Sequence, residues 1–122
     1  MNYDLSMQDK MRIVQELVPG KQITIAHIIA NPDEILYQKL GLDPAKEHHG
    51  AIGIVTISPS ETAIIAGDIA IKTSGAELGF VDRFSGTLIV TGTVSQVEEA
   101  LEGVCSYCKN KLLFTVCEIT KT

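Results

Sequence analysis

Tryptophan is absent from this 122-residue chain, and phenylalanine and tyrosine occur three times each. Aliphatic residues are abundant instead. Lysine and arginine are scattered and form no run, and the formal net charge is −5. A sequence-wide basic footprint for nucleic acid is therefore missing. No apolar stretch approaches the roughly 20 residues that a membrane-spanning helix needs. The opening residues, Met1-Asn2-Tyr3-Asp4-Leu5-Ser6, carry neither the basic region nor the apolar core of a signal peptide. The three cysteines are an odd number with no secretion signal, which points to reduced thiols and a cytoplasmic chain. No Gly/Ser/Pro-rich linker divides the sequence. One domain is expected, long enough to bury roughly two-thirds of its unfolded surface.

The most informative stretch present is Gly79 to Gly92. Two strand-like runs flank the polar turn Asp82-Arg83-Phe84-Ser85-Gly86. Ser-Gly is a turn signal because glycine adopts positive φ without a Cβ clash. The tip puts a carboxylate, a guanidinium, a ring and a hydroxyl on a rigid base. It suits a ligand site, a subunit contact or a pore. Asp82 and Arg83 can pair with each other or with a neighbouring subunit, and a solvated ion pair there contributes little.

Three helix starts are expected, at Asn31-Pro32-Asp33-Glu34, Ser58-Pro59-Ser60-Glu61 and Ser95-Gln96-Val97-Glu98. Each offers a capping side chain, and each sets acid near the positive end of the helix dipole. The first helix should end near Gly41. The third carries Val97, Leu101, Val104 and Cys108 on one apolar face. Strands are expected over 23–30, 51–57, 77–84, 87–91 and 112–119, all rich in Ile, Val, Thr, Leu and Phe. From residue 51 onward the order is β-α-β-β-α-β. That predicts an α+β, ferredoxin-like split βαβ fold: an antiparallel sheet with both helices on one face. A strand–helix pair over 23–41 precedes it. Residues 11–18 fit a short helix about as well as a strand, and Pro19-Gly20 makes a turn.

The middle helix, Ala63 to Lys72, is apolar nearly all round, with only Glu61, Asp68 and Lys72 as a polar stripe. A two-layer sheet buries one side of a helix. Its small side, Ala63, Ala66, Gly67 and Ala70, is expected to meet another subunit; a larger core is the alternative.

Chemistry is hard to find. Cys105-Ser106-Tyr107-Cys108 has the spacing of half a zinc site, but no second Cys/His pair stands at matching distance. Both cysteines fall inside the third helix and read as small core residues. His48-His49 lies in a polar loop and cannot close a tetrahedral site. His27 sits in a strand and reads as a hydrogen-bonded sheet or interface residue. No nucleophile–base–orienter set and no phosphate-cradling glycine loop is present. Neither a catalytic residue, a metal nor a cofactor is expected. A regulatory, small-molecule-binding oligomer of ferredoxin-like fold is the alternative to a purely structural protein.

The runs Val18-Pro19-Gly20-Lys21-Gln22, Ala26-His27-Ile28-Ile29-Ala30-Asn31-Pro32 and Ala51-Ile52-Gly53-Ile54 resemble those of the circularly permuted shell proteins of bacterial microcompartments. So do Glu61-Thr62-Ala63-Ile64-Ile65-Ala66-Gly67-Asp68 and Gly79 to Gly86. Their order and density carry the resemblance, collinear from about residue 8 to the C-terminus. It is nearest to shell proteins of ethanolamine utilisation, with those of propanediol utilisation next. It implies a homohexameric tile with a central pore, in a cytoplasmic microcompartment shell, whose partners are other shell proteins and small metabolites passing the pore. No nucleic acid, membrane or enzymatic role is implied. Residues 22–122 would be the permuted domain and residues 1–21 an extension. Arg83, Phe84, Ser85 and Gly86 would line the pore, and Lys72 would sit at the hexamer–hexamer edge. Arg12, Ile13, Val14, Gln15, Glu16, Leu17 and Val18 would add a strand to an inter-subunit β-barrel capping the pore. The chain departs from the family in its extra residues Met1 to Ser6 and in a longer loop over 43–50.

Overall fold

The computed structural model describes residues 20–42 and 50–122. The expected cap strand over 12–18 and the His48-His49 pair lie outside the described residues. The elements are β1 (Gln22–Ile29), α1 (Glu34–Leu40), β2 (Ala51–Ser58), α2 (Thr62–Thr73), β3 (Glu77–Asp82) and β4 (Thr87–Gly92). They are followed by α3 (Val94–Asn110), β5 (Thr115–Val116) and β6 (Thr120–Lys121). One sheet runs β3-β4-β2-β1-β5, with β6 also against β1. β1/β2, β2/β4 and β3/β4 are antiparallel, whereas β5 and β6 lie parallel to β1.

The α+β, split βαβ order from residue 51 is present. The preceding strand β1 is inserted beside β2, and the C-terminal strands pair on its far side. The single strand expected over 112–119 is two short ones, separated by residues 117–119. The strand expected over 77–84 stops at Asp82, where the turn begins.

Period-two alternation sorts the sheet into two faces. Ala51, Val55, Leu88 and Val90 face α2 and α3, together with Val97, Leu101, Val104 and Cys108 of α3. Ile52 and Ile89 face the other way and pack with Tyr37 of α1 and Leu42. The short helix α1 is thus on the face opposite α2 and α3. Tyr37 is buried there and donates its hydroxyl to the Gly50 carbonyl. In β1 a bulge between Ile23 and Ile25 breaks the alternation. It lets both Ile23 and Ala26 reach the main core while Ile25 stays exposed. Each fully buried Leu or Val of this core contributes about 1.5–3 kcal/mol.

All three helix starts are displaced from their expected caps. Asp33, not Asn31, caps α1, accepting from Ile35 N at 3.1 Å. Asn31-Pro32 stays outside the helix, and Asp33 takes the extended backbone that a cap requires. Ser58 ends β2, and α2 begins after Glu61 with no side-chain cap. Thr93 and Gln96, not Ser95 and Glu98, form the capping box of α3. Gly41 does end α1, at φ 74°.

The faces of α2 are the reverse of the expectation. Ala63, Ala66, Gly67 and Ala70 are buried within this chain, while Ile64, Ile65 and Ile71 are exposed. Small residues let the helix approach closely. A Cβ on Gly67 would already stand 3.4 Å from Val81 and 3.5 Å from Leu78. Ile69 is the one bulky residue of the helix that is buried with them, while the other isoleucines point outward.

Candidate functional site

The turn between β3 and β4 projects Arg83, Phe84 and Ser85 from the sheet's end. Asp82 organises it. One carboxylate oxygen accepts from Phe84 N at 2.8 Å, and the other accepts from the Ser85 hydroxyl at 2.8 Å. This is the local side-chain-to-backbone geometry by which Asp shapes a turn. These two bonds hold the Asp82 carboxyl below its ordinary range, with the Phe84 N–H the largest cause and the Ser85 hydroxyl next. Ser85 also lies 3.0 Å from the Thr87 hydroxyl.

The Asp82–Arg83 pairing considered from sequence does not form. The Arg83 guanidinium instead lies over the Phe84 ring, 4.8 Å from its centroid. An exposed stack of this kind contributes about 0.5–1 kcal/mol. Phe84 is 80 % exposed, so the pair stands in solvent in the isolated chain. The carboxylate is spent on the turn's own backbone and hydroxyl, and among the described residues Arg83 has no ion-pair partner.

Gly86 locks the tip onto the sheet. Its φ is 76°, its N–H donates to Asp82 O at 2.9 Å, and its carbonyl accepts from Ile57 N at 2.9 Å. A Cβ there would stand 2.2 Å from the Ile57 carbonyl oxygen. Glycine is required both by the backbone conformation and by the close approach.

Lys72 lies in the last turn of α2, exposed, 3.0 Å from Asp68 one turn earlier. An exposed i,i+4 pair holds it weakly. With Ile64, Ile65 and Ile71 it makes the outer surface of α2 a mix of apolar and charged groups. On the far side of the sheet, His27 clamps the C-terminus. Its Nδ1 is 2.6 Å from the Thr120 hydroxyl and its Nε2 is 2.9 Å from that of Thr122. That matches the hydrogen-bonded sheet role read from sequence.

The cysteines bear out the core reading. Cys105 and Cys108 are buried and unpaired, and Cys117 is half-buried. Burial, with smaller effects from Cys117 and Cys108, pushes the Cys105 thiol up to about 11. Burial also raises Cys108. A nucleophilic or metal-binding cysteine needs the opposite shift. Among the described residues no group of His, Cys, Asp or Glu could hold a metal ion, and no helix is long and apolar enough to cross a membrane.

A family model described as the BMC domain matches residues 51–121. The match begins at β2 and leaves β1 and α1 in front of it, the order of a circularly permuted member. The chain is 53 % identical over 114 residues to the bacterial microcompartment shell protein EutS of Escherichia coli strain K12, covering 93 % of this chain and 99 % of EutS. It is 53 % identical over 111 residues to the shell protein PduU of Salmonella typhimurium strain LT2, covering 91 % and 93 %. Among solved structures, a flat hexamer of CutR superimposes with a TM-score of 0.80 at 49 % identity, covering 88 % of this chain and 96 % of that one.

Proposed function

This chain belongs to the BMC-domain family of bacterial microcompartment shell proteins, and from that premise we propose that it is a structural tile of an ethanolamine-utilisation shell. Its product is an assembly. Six copies surround an axis, and hexamers pack edge to edge, with other shell proteins, around a compartment in the cytoplasm. The chain has no catalytic role.

The observation that carries this reading is the near full-length identity to EutS. The outward isoleucines of α2 support it. Ile64, Ile65 and Ile71 are large, exposed and close in sequence, an apolar surface that self-association would cover.

In the tile, six copies of Arg83, Phe84, Ser85 and Gly86 form the rim of a central opening. Asp82 is engaged within each turn, so Arg83 sets the forward charge of the rim, and the Phe84 ring narrows it. A ring of guanidinium groups favours anions over cations, and small metabolites are the species to which this matters. Lys72 sits at the edge where hexamers meet, and the weak Asp68 contact leaves it free to exchange partners. Residues 22–122 form the tile. Electron microscopy of the concentrated protein tests the assembly. Hexagonal layers or rolled sheets are expected, and dispersed single chains at high concentration would rule the proposal out.

A further inference from the structure

The chain after α3 forms a strap along the edge of the sheet. After Asn110 the backbone reverses through Leu113 at φ 62°. Glycine or asparagine is usual at such a left-handed position. Phe114 then turns into the core, and its N–H donates to Cys108 O at 2.8 Å. β5 and β6 follow along β1, two residues each. Between them Cys117 donates its N–H to Ile23 O at 3.2 Å. Of residues 114–122 only Phe114 is buried. The far end is held by the His27 bonds to Thr120 and Thr122 and by the exposed ion pair of Lys121 with Glu98 of α3 at 2.7 Å. A segment tied by short ladders and surface contacts stands at the low end of local stability.

The strap brings a third thiol to the two on α3. Cys105 and Cys108 are buried in the main core, and half-buried Cys117 packs against that same core. The three are not equivalent. Cys117 bears on the Cys105 thiol more strongly than Cys108 does, whereas burial alone raises Cys108. Cys108 is one turn from Cys105 on the same helix, where Cβ atoms stand about 5–6 Å apart. Cys117 is more exposed than Cys108 and so better screened, and its stronger effect places it no farther from Cys105. A disulfide needs Cβ atoms about 3.5–4.5 Å apart, so a shift of the strap by about 1–2 Å brings Cys117 and Cys105 into bonding range. Cys105 and Cys108 have no such freedom, because one rigid helix fixes both.

We propose that Cys105 and Cys117 form a reversible disulfide that fastens the strap to α3 under oxidising conditions. Half-buried Cys117 is the thiol that solvent reaches first. With hydrogen peroxide as oxidant, the Cys117 sulfur takes one peroxide oxygen, giving a sulfenic acid and releasing water. The Cys105 sulfur then attacks the Cys117 sulfur. The S–O bond breaks, and the departing hydroxide takes the Cys105 proton as a second water. Two thiols and one peroxide give one disulfide and two waters. Burial keeps the proton on Cys105 at neutral pH, so the second step is the slow one. Once closed, the loop restricts the unfolded chain and holds the strap on β1. A thiol reductant frees it again.

Mild hydrogen peroxide on the assembled, full-length protein tests this, read by intact mass and by peptide mapping without reductant. The chain should lose two hydrogens, and mapping should join Cys105 to Cys117. The melting temperature should rise by at least about 4 °C, and dithiothreitol should reverse both changes. Dimedone present during the reaction should trap Cys117 as its sulfenic acid and prevent the link. Cys117→Ser should abolish the link and the rise in melting temperature, whereas Cys108→Ser should keep the link. Mapping on the parent chain stands whether or not a variant folds well. No loss of hydrogens, a link to Cys108, a link between two chains, or added oxygen on Cys117 in place of the link overturns the proposal. A Cys105–Cys117 link that leaves the melting temperature unchanged also overturns it, because the strap would then not be fastened.

Discussion

Replacing Gly86 by alanine tests how the hairpin tip is held, and Gly41 supplies the control. The two glycines have nearly the same backbone angle, φ 76° and 74°. They differ in their surroundings. Nothing lies within 4 Å of a Cβ at Gly41, whereas one at Gly86 meets the Ile57 carbonyl oxygen at 2.2 Å and Ser60 Cα at 3.1 Å. In Gly41→Ala the cost is the left-handed backbone alone, about 1–2 kcal/mol. Reduced freedom of the unfolded chain offsets about 0.4–1 kcal/mol of it. In Gly86→Ala the same cost applies and the tip must also back away from β2. That breaks the bond from Ile57 N to Gly86 O and strains the one from Gly86 N to Asp82 O, each contributing about 1 kcal/mol. The difference between the variants should be about 2 kcal/mol. For a urea slope of about 1–3 kcal/mol per molar, the midpoints should separate by about 1 M. They must be compared at equal protein concentration, because assembly couples to stability. Equal midpoints would show that the close approach of the tip to β2 does not hold it.

Three further outcomes are expected. The Asp82 carboxyl is depressed in the folded chain, so its contribution to tip order is present above the unfolded value near 3.9. It is lost as pH falls through the folded value; nuclear magnetic resonance should show the Phe84 amide shifting only below about pH 4, and an Asp82→Asn variant showing the same titration would refute the assignment. Because Cys105 is raised to about 11 by burial, iodoacetamide at pH 8 should label Cys105 and Cys108 only after denaturation, and rapid labelling of the native chain would contradict the buried-core reading. Lys72→Ala should impair sheet formation by electron microscopy while leaving hexamers intact; loss of the hexamer would move Lys72 from the tile edge to the contacts within it.

The hairpin was legible because its determinants are local. Ser85-Gly86 between two strand-like runs places the turn, and φ at Gly86 follows from it. What Asp82 does there was not legible, since a charged neighbour at Arg83 competes with two nearer donors for the carboxylate. The helices were found but their caps were shifted, because Asn31, Asp33, Ser95 and Thr93 are all competent cap residues and the backbone entering each helix chooses between them. The apolar composition of α2 was plain, yet composition has no direction. Which side faces the sheet depends on which residues meet Val81, Leu78 and Leu88, a tertiary fact that no residue count carries, and Ile69 goes inside with the small residues. The face occupied by α1 likewise depends on which alternate residues of β2 and β4 it can cover. Leu113 left no sequence signal, because the glycine that usually marks a left-handed helix end is missing.

The mass of the assembly in solution tests the central claim most directly. Light scattering at micromolar concentration should give about six times the 13.2 kDa of one chain, with larger species growing as concentration rises. A single mass near that of one chain, unchanged across that range, would contradict the account.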